Sequence, residues 1–445
     1  MYDLIIIGAG PGGYEAAIHA GRKGKKTLLF ERESIGGTCL NVGCIPTKTL
    51  LRSAHVFSLV REAGKYGVSA GNATLQMAQV QERKNKIVSA LGKGIEASLK
   101  KAGVEILRAH AKLANRGKVE ADGKTYEAAN ILIATGARPA LPPVPGIESA
   151  MASTAALKLA EVPASIAIIG GGVIGLEFAD FFAQAGSKVT VVEMLPSIAP
   201  MLDTDMGKRL LSALKRKGIE FHLSAKVTRV EAGALHFTDE KGVAQTINAT
   251  KVLNATGRKP VVNDLGLEAA GVEFSGKGIV TSDEGRTNVP GIWACGDVTG
   301  RLLLAHAATR EGLVAVENMF GGTQRIRYDA IPSVVYTDPE VASCGKTEEQ
   351  LLKEGVPFRK ALVPMGVAGR FLVEHEGQAG TLKVLVGKEH GEILGVHILG
   401  GPAGELIFGA AIMMENEMRG KDLFEIVFPH PTISEALKEA ILHAE

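Results

Sequence analysis

Apolar residues in this chain gather into short runs closed by glycine, and two of these runs open the same composite pattern. Leu4-Ile5-Ile6-Ile7 leads into Gly8-Ala9-Gly10-Pro11-Gly12-Gly13, and Ile166-Ala167-Ile168-Ile169 leads into Gly170-Gly171-Gly172-Val173-Ile174-Gly175. Each predicts a buried strand, a glycine-rich turn and an amphipathic helix. A second strand follows in both and ends on an acid: Leu28-Leu29-Phe30-Glu31 in one, Val191-Val192-Glu193 in the other. Further on, each copy has an apolar run into Ala-Thr-Gly, from Ile131 through Thr135 to Gly136 and from Val252 to Gly257. The chain therefore contains a diverged internal repeat.

The first copy is the longer. Its insertion predicts a helix from about Gln79 to Lys101, where Ile87, Leu91, Ile95 and Leu99 recur at spacing four and read as one core-packing face. Proline-rich Pro139 to Pro145 marks a linker. After Gly257 the chain returns through Gly291-Ile292-Trp293-Ala294-Cys295-Gly296-Asp297. From about Ile326 the pattern changes: Leu382 to Val386 and Ile393 to Ile398 read as strands, with helices near Ala403–Asn416 and Ile433–His443. The predicted fold is α/β, with two Rossmann-like dinucleotide-binding domains and a C-terminal α+β domain. The expected limits are 1–142 for the first domain, 143–257 for the second, 258–325 for a return segment completing the first, and 326–445 for the last.

Gly8, Gly10 and Gly13 follow a strand and open a helix, which is the setting a dinucleotide fingerprint requires. Glycine lets the backbone approach a pyrophosphate, whose charge a helix N-terminus favours, and Glu31 can accept hydrogen bonds from a ribose. Gly170, Gly172 and Gly175 meet the same test. Glu193, 23 residues after Gly170, welcomes ribose hydroxyls and repels a 2′-phosphate. At 4 Å and an effective dielectric near 20, one like-charge pair costs about 4 kcal/mol before screening. No arginine cluster offsets it, so the second site is expected to take NAD(H) in preference to NADP(H).

Between the repeats' landmarks lies Gly36-Gly37-Thr38-Cys39-Leu40-Asn41-Val42-Gly43-Cys44-Ile45-Pro46-Thr47-Lys48. Residues five apart in a regular helix are too distant for a disulfide. A bridge between Cys39 and Cys44 needs an irregular turn, for which Gly43 and Pro46 offer backbone freedom and a break. Such a loop bridge is reducible, so the spacing reads as a redox-active pair. A nicotinamide gives two electrons as hydride and a disulfide accepts two. A flavin relays between them, which assigns FAD to the first nucleotide site.

The remaining composition narrows the class without changing it. The 445 residues carry a formal net charge of +2, with no basic stripe to suit nucleic acid. Four cysteines argue against a disulfide scaffold and for a reducing compartment. The N-terminal apolar run is too short for a signal peptide, and no stretch has the length of a membrane helix. The expectation is a soluble, cytoplasmic enzyme with no membrane or nucleic-acid partner. No residues suggest a metal. Cys295 and Cys344 read as buried, inert thiols.

Taken together, the first fingerprint, the GGTCLNVGCIPTK segment, both Ala-Thr-Gly turns, Gly296-Asp297, Leu304-Ala305-His306, Tyr336-Thr337-Asp338-Pro339-Glu340 and His430-Pro431-Thr432-Ile433-Ser434-Glu435 resemble the FAD-dependent pyridine nucleotide–disulfide oxidoreductases. The likeness runs from Tyr2 to the C-terminal helix. It implies that Cys39 is the exposed thiol that meets substrate, and that Cys44 lies against the flavin as the charge-transfer thiolate. Lys48 would approach flavin N5 and pair with Glu177, Asp297 would bind the ribityl chain, and the segment at Ala305 and His306 would approach the flavin's pyrimidine edge. The last domain would be a dimerisation domain, with His430 serving the other subunit's site as acid–base, oriented by Glu435. The implied reaction oxidises a dihydrolipoyl group with NAD+. The lipoyl-bearing protein would come from a 2-oxoacid dehydrogenase complex or the glycine cleavage system. The alternative is NADH-dependent reduction of another disulfide, such as glutathione disulfide. A terminal cysteine pair, which other branches of the family would need, is absent from Ile441-Leu442-His443-Ala444-Glu445.

Overall fold

The computed structural model describes residues 1–444. Its first sheet runs in the order Glu105–Leu107, Thr27–Phe30, Tyr2–Ile7, Lys124–Ile133, Lys118–Ala121, Ala111–Asn115, with Ile292–Ala294 added beside Lys124–Ile133. Leu4, Ile5, Ile6, Leu28 and Leu29 have no exposed surface. Parallel strands covered on both faces have no solvent side, so their runs are apolar without alternation. Lys124–Ile133 belongs to two arrangements. Its first part pairs antiparallel with Lys118–Ala121, while Ala128 to Ile133 lies parallel to Tyr2–Ile7.

Helix Pro11–Arg22 packs on helix Ala305–Met319 so closely that only glycine fits at the crossing. A Cβ on Gly12 would stand 2.9 Å from the Ala308 carbonyl oxygen, and one on Gly312 would stand 2.4 Å from the Gly12 oxygen. The return segment is thus locked to the first fingerprint helix as well as to the first sheet.

The second sheet is parallel throughout, in the order Glu220–His222, Lys188–Val192, Ser165–Ile169, Lys251–Asn254, Met151–Ala152. A three-stranded antiparallel sheet, Lys226–Glu231, Ala234–Thr238 and Ala244–Asn248, lies between its landmarks. The proline-rich linker begins as a strand: Ala137–Pro139 pairs antiparallel with Arg258–Pro260, so the chain crosses between the nucleotide units twice, side by side. The last sheet is antiparallel, in the order Ser333–Val335, Val341–Gly345, Ile393–Leu399, Thr381–Gly387, Phe358–Pro364. Helices Ala403–Glu415 and Glu435–Ala444 share its core.

The inserted helix spans Met77–Lys101, but its apolar stripe does not all reach a core. Leu99 is fully buried while Leu91 is 44% exposed. A spacing of four advances the helix by about 40° beyond a full turn each time, so the stripe winds away from any single partner. Met77 and Val80 enter the core beneath the second sheet and Leu99 enters the core of the first. The helix therefore spans two cores, with its middle facing out. Among the described residues no helix is long and apolar enough to cross a membrane.

Candidate active site at the dithiol

The two fingerprints fold into matching cradles. Gly8 and Gly170 adopt φ of +103° and +105°, a region that favours glycine. A Cβ on Gly13 would lie 1.9 Å from the Gly8 oxygen, and one on Gly175 would lie 2.0 Å from the Gly170 oxygen. These contacts fix glycine at the first and third positions. Above Gly10 and Gly172 an added Cβ would meet nothing within 4 Å, and neither helix start carries a side-chain cap. Open space beside uncapped N–H donors fits a pyrophosphate in both places. Glu31 Oε2 accepts from Ala9 N at 2.8 Å and Glu193 Oε2 from Gly171 N at 2.6 Å. The partner oxygens accept from Glu33 N and Leu195 N. Each acid is thereby aimed at its glycine loop with lone pairs remaining for ribose hydroxyls. Thr135 and Gly136 line the turn after the first unit's last strand, where Thr135 Oγ1 donates to the Val261 carbonyl at 3.0 Å and Gly136 has φ +70°. Gly257, at φ +120°, ends the equivalent run.

The cysteine segment forms helix Gly37–Val42 and helix Cys44–Arg61, broken at Gly43 with φ −144° and ψ −113°. Gly43 makes the irregular turn by itself. Pro46 lies in the first turn of the second helix, where a missing N–H leaves no helical bond unmade, so it does not supply a break. All four cysteines carry free thiols. Cys39 and Cys44 are both partly buried, so burial does not distinguish them. Charge separates them instead. The Cys39 thiol donates to Cys44 and is itself pushed far up. Cys44 is pulled down to about 7, first by that hydrogen bond and then by the Lys48 ammonium, against burial and the Glu177 charge. Of the two, Cys44 is the thiol whose ionisation this setting favours.

Lys48 lies one turn beyond Cys44 on the same helix. Its Nζ meets Glu177 Oε1 and Oε2 at 2.9 and 2.8 Å and stands 4.4 Å above the Tyr336 ring. Tyr336 N donates to Glu177 Oε1 at 3.0 Å. Lys48 of the first unit and Tyr336 of the last domain thus meet on one buried carboxylate of the second unit.

Asp297 opens a short 3-10 turn, Gly296–Thr299. Burial raises its carboxyl, and the charge nearest to it is Arg258, 3.8 Å away. A half-buried carboxylate short of donors suits a polyol chain. Sequence reasoning missed Arg258, whose guanidinium also donates to Ala137 O and Thr38 Oγ1, and Glu311, which accepts from Gly296 N and Tyr328 Oη beside Asp297. Neither lies in a motif whose spacing predicts it. Cys295 and Cys344 are buried, and burial raises both thiols. Ala305 begins helix Ala305–Met319, and His306 Nε2 contacts the Pro332 carbonyl at 2.7 Å.

His430 stands 79% exposed at the surface of the last domain, with Nδ1 2.9 Å from Glu435 Oε1. Glu435 Oε2 accepts from Thr432 N at 3.0 Å, which fixes the carboxylate and through it the ring. Among the described residues His430 pairs with Glu435 and not with the dithiol of its own chain.

The family model for pyridine nucleotide–disulphide oxidoreductases matches residues 2–312, and that for the dimerisation domain of the same enzymes matches residues 331–441. The chain belongs to this family: it is a flavoprotein disulfide oxidoreductase that uses FAD and NAD, and its last domain is a dimerisation domain. Among curated relatives it is 39% identical over 461 residues to dihydrolipoyl dehydrogenase 3 of Pseudomonas putida, covering 100% of this chain and 98% of that one. It is 38% identical over 449 residues to dihydrolipoyl dehydrogenase of Bacillus subtilis, covering 99% and 98%. The structure of LpdA from Mycobacterium tuberculosis superposes with a TM-score of 0.91 at 27% identity, covering 100% of this chain and 99% of that one.

Proposed function

We propose that the protein is an NAD-dependent dihydrolipoyl dehydrogenase. It oxidises dihydrolipoamide with NAD+ to give lipoamide, NADH and a proton. The observation that carries this reading is the dithiol itself. Cys44, with its thiol drawn to about 7, sits one turn from Lys48, whose pairing with Glu177 ties this insertion of the first unit to the second unit's fingerprint helix. The relatives' names bring the lipoyl substrate to that site.

In the oxidised pair, His430 of the partner subunit takes a proton from one substrate thiol. The resulting thiolate attacks Cys39 sulfur, and Cys44 leaves as a thiolate. His430 passes that proton to Cys39 as it leaves and takes the proton of the second substrate thiol, whose sulfur attacks the mixed disulfide at the substrate sulfur and closes the lipoyl ring. The substrate has lost two electrons and the protein dithiol holds them. When bound against Cys44, FAD supplies the two-electron relay between this thiolate and NAD+. Lys48 stabilises the thiolate by charge, Glu177 holds Lys48 in place, Asp297 would hold the ribityl chain, and Glu31 and Glu193 would accept from the two riboses. Glu435 keeps the His430 ring in one orientation.

The domain limits that fit this reading are 1–142, 143–257, 258–325 and 326–445. The partner is a lipoyl-bearing protein of a 2-oxoacid dehydrogenase complex or of the glycine cleavage system. The setting is the cytoplasm, where unbridged thiols such as Cys295 and Cys344 persist.

Steady-state NADH oxidation tests the substrate, with lipoamide and glutathione disulfide as parallel acceptors and NADPH as control. Turnover confined to lipoamide and NADH is the expected result. Turnover with glutathione disulfide alone would move the substrate to another disulfide. Replacing His430 with Gln tests the acid–base: the thiol half-reaction should slow by about 10²–10⁴-fold while reduction by NADH keeps its rate. Equal loss in both halves would make the histidine structural.

A further inference from the structure

Helix Val173–Gln184 presents two buried acids three residues apart, Glu177 and Asp180, and the proposed mechanism uses only the first. Asp180 is fully buried and fully engaged. Its Oδ1 accepts from Lys217 Nζ at 3.0 Å. Its Oδ2 accepts from Asp338 N at 2.9 Å and from Gln184 Nε2 at 2.7 Å. Lys217, at the C-terminal end of helix Thr204–Arg216, also reaches Asp338 Oδ2 at 2.8 Å. Asp338 Oδ1 in turn accepts from Gln378 Nε2 at 3.0 Å, and Gln378 Oε1 accepts from Gly401 N.

Set beside Glu177, these bonds form a ladder. Tyr336 N donates to Glu177 and Asp338 N to Asp180. Residues two apart in an extended segment face the same side, and i, i+3 acids on a helix do likewise. The strip Tyr336–Asp338 is therefore pinned to the helix at two points. Its upper rung carries the Tyr336 ring under Lys48 and one of the hydrogen bonds that aim Glu177 at Lys48. The lower rung is closed by Asp180 and Lys217.

We propose that Asp180, clamped by Lys217, is a positioning residue for the redox centre: it holds the Tyr336–Asp338 strip in register, so that Glu177 and Tyr336 keep Lys48 beside Cys44. The buried acid is otherwise hard to account for. A carboxylate withdrawn from water needs charge partners and hydrogen bonds to persist. Here those partners tie helix Val173–Gln184 and Lys217 to the Tyr336–Asp338 strip. The groups facing Asp180 and Asp338 from the packed elements are Lys217, His55 on the Cys44 helix, and His375. Neither histidine is hydrogen-bonded to Asp180.

The proposal rests on Lys48 and Glu177 acting at the dithiol, and its test separates the two ideas. The readout is the long-wavelength charge-transfer absorbance of the two-electron-reduced holoenzyme, titrated with pH, alongside thermal unfolding. Glu177→Gln is the control. Glutamine keeps an oxygen for Lys48 Nζ and Tyr336 N, both of which meet Glu177 Oε1, so Lys48 stays in place while the negative charge goes and the pH midpoint of the charge-transfer band should fall; no movement would sink the role assigned to the Lys48–Glu177 pair. Asp180→Ala should raise the midpoint by half a unit or more and reduce the band at pH 7 at least twofold. Asp180→Asn keeps an acceptor for Asp338 N and should recover more than half of that shift. Should Asp180→Ala fail to fold, Lys217→Met, at a side chain 26% exposed, is expected to shift the midpoint in the same direction. A lowered unfolding temperature with midpoint and amplitude unchanged, while Glu177→Gln moves them, would overturn the proposal and leave Asp180 a fold-stabilising residue only.

Discussion

The two nucleotide units have nearly the same cradle and different contents. In each, the first glycine has φ near +104°, the third glycine's missing Cβ leaves room for a carbonyl under it, and the acid of the second strand bonds to the loop between the glycines. Each also has an antiparallel excursion late in the unit: three separate strands in the second, and two strands that pair onto the first part of Lys124–Ile133 in the first. The units diverge after the second strand. The second continues directly through helix Thr204–Arg216 to its next parallel strand, Glu220–His222. The first inserts helices Gly37–Val42, Cys44–Arg61 and Met77–Lys101 before Glu105–Leu107. The dithiol and Lys48 lie in that insertion. A fold with two matching cradles thus acquires its paired thiols through what one copy adds. The other copy contributes Glu177 from its fingerprint helix to complete the charge balance around them.

Removing what only the first unit has produces the largest effect. Cys44→Ser should retain the yellow flavin absorbance and lose lipoamide turnover by at least about 10³-fold, as removal of a reacting nucleophile does. Persistent turnover would mean that electrons do not pass through the pair. Removing what the units share should separate them by cofactor. Gly13→Ala and Gly175→Ala make the same clash, about 2 Å from a backbone oxygen. The first variant should be isolated depleted of FAD. The second should keep FAD and bind NADH at least about tenfold more weakly, roughly 1.4 kcal/mol. Flavin content by absorbance and NADH affinity by fluorescence quenching check both. Loss of flavin from Gly175→Ala would break the assignment of one cofactor to each cradle.

The parts legible in the sequence are those that local chain geometry dictates. The cradles show because glycine is the only residue that fits the backbone contacts at Gly13 and Gly175. The dithiol shows because both sulfurs lie in one short segment. The last sheet shows because Thr381–Gly387 is buried along its whole length. What stayed hidden depends on partners distant in sequence. Lys48 meets Glu177 across 129 residues and Lys217 meets Asp338 across 121; the first came only through family resemblance and the second not at all. Lys383 shows the same limit. It is 1% exposed between Asp203, Asp205 and Glu348, yet by composition it reads as a surface charge. Periodicity misled in helix Met77–Lys101, where Lys84 is buried and Leu91 is not. Lys84 donates to the Leu157 carbonyl, so a polar bond rather than apolar contact fills that position.

Glu193 tests how far the two cradles differ in selectivity. Its carboxylate accepts from Gly171 N and Leu195 N, so it is held in one orientation beside the glycine loop. Glu193→Ala should narrow the NADH over NADPH preference in kcat/KM by about tenfold, a fraction of the unscreened like-charge cost. An unchanged ratio would place discrimination elsewhere in the loop.

The finest distinction lies inside the insertion, between two thiols that burial does not separate. Cys44 is drawn to about 7 by the Cys39 hydrogen bond and by Lys48, while Cys39 is pushed up. The thiolate at Cys44 therefore forms as pH rises through about 7 and is protonated below it. Rapid iodoacetamide labelling of the reduced protein, resolved by peptide, should show one site gaining reactivity across that range. Lys48→Met removes a lowering charge and leaves the Glu177 carboxylate, which acts in the opposite sense. The midpoint should rise by on the order of one unit, which corresponds to about 1.4 kcal/mol of lost preference for the thiolate. If labelling in the variant keeps its midpoint near 7, the Cys39 hydrogen bond alone sets the thiolate, and the second unit's contribution through Glu177 and Lys48 is to the flavin side of the relay instead.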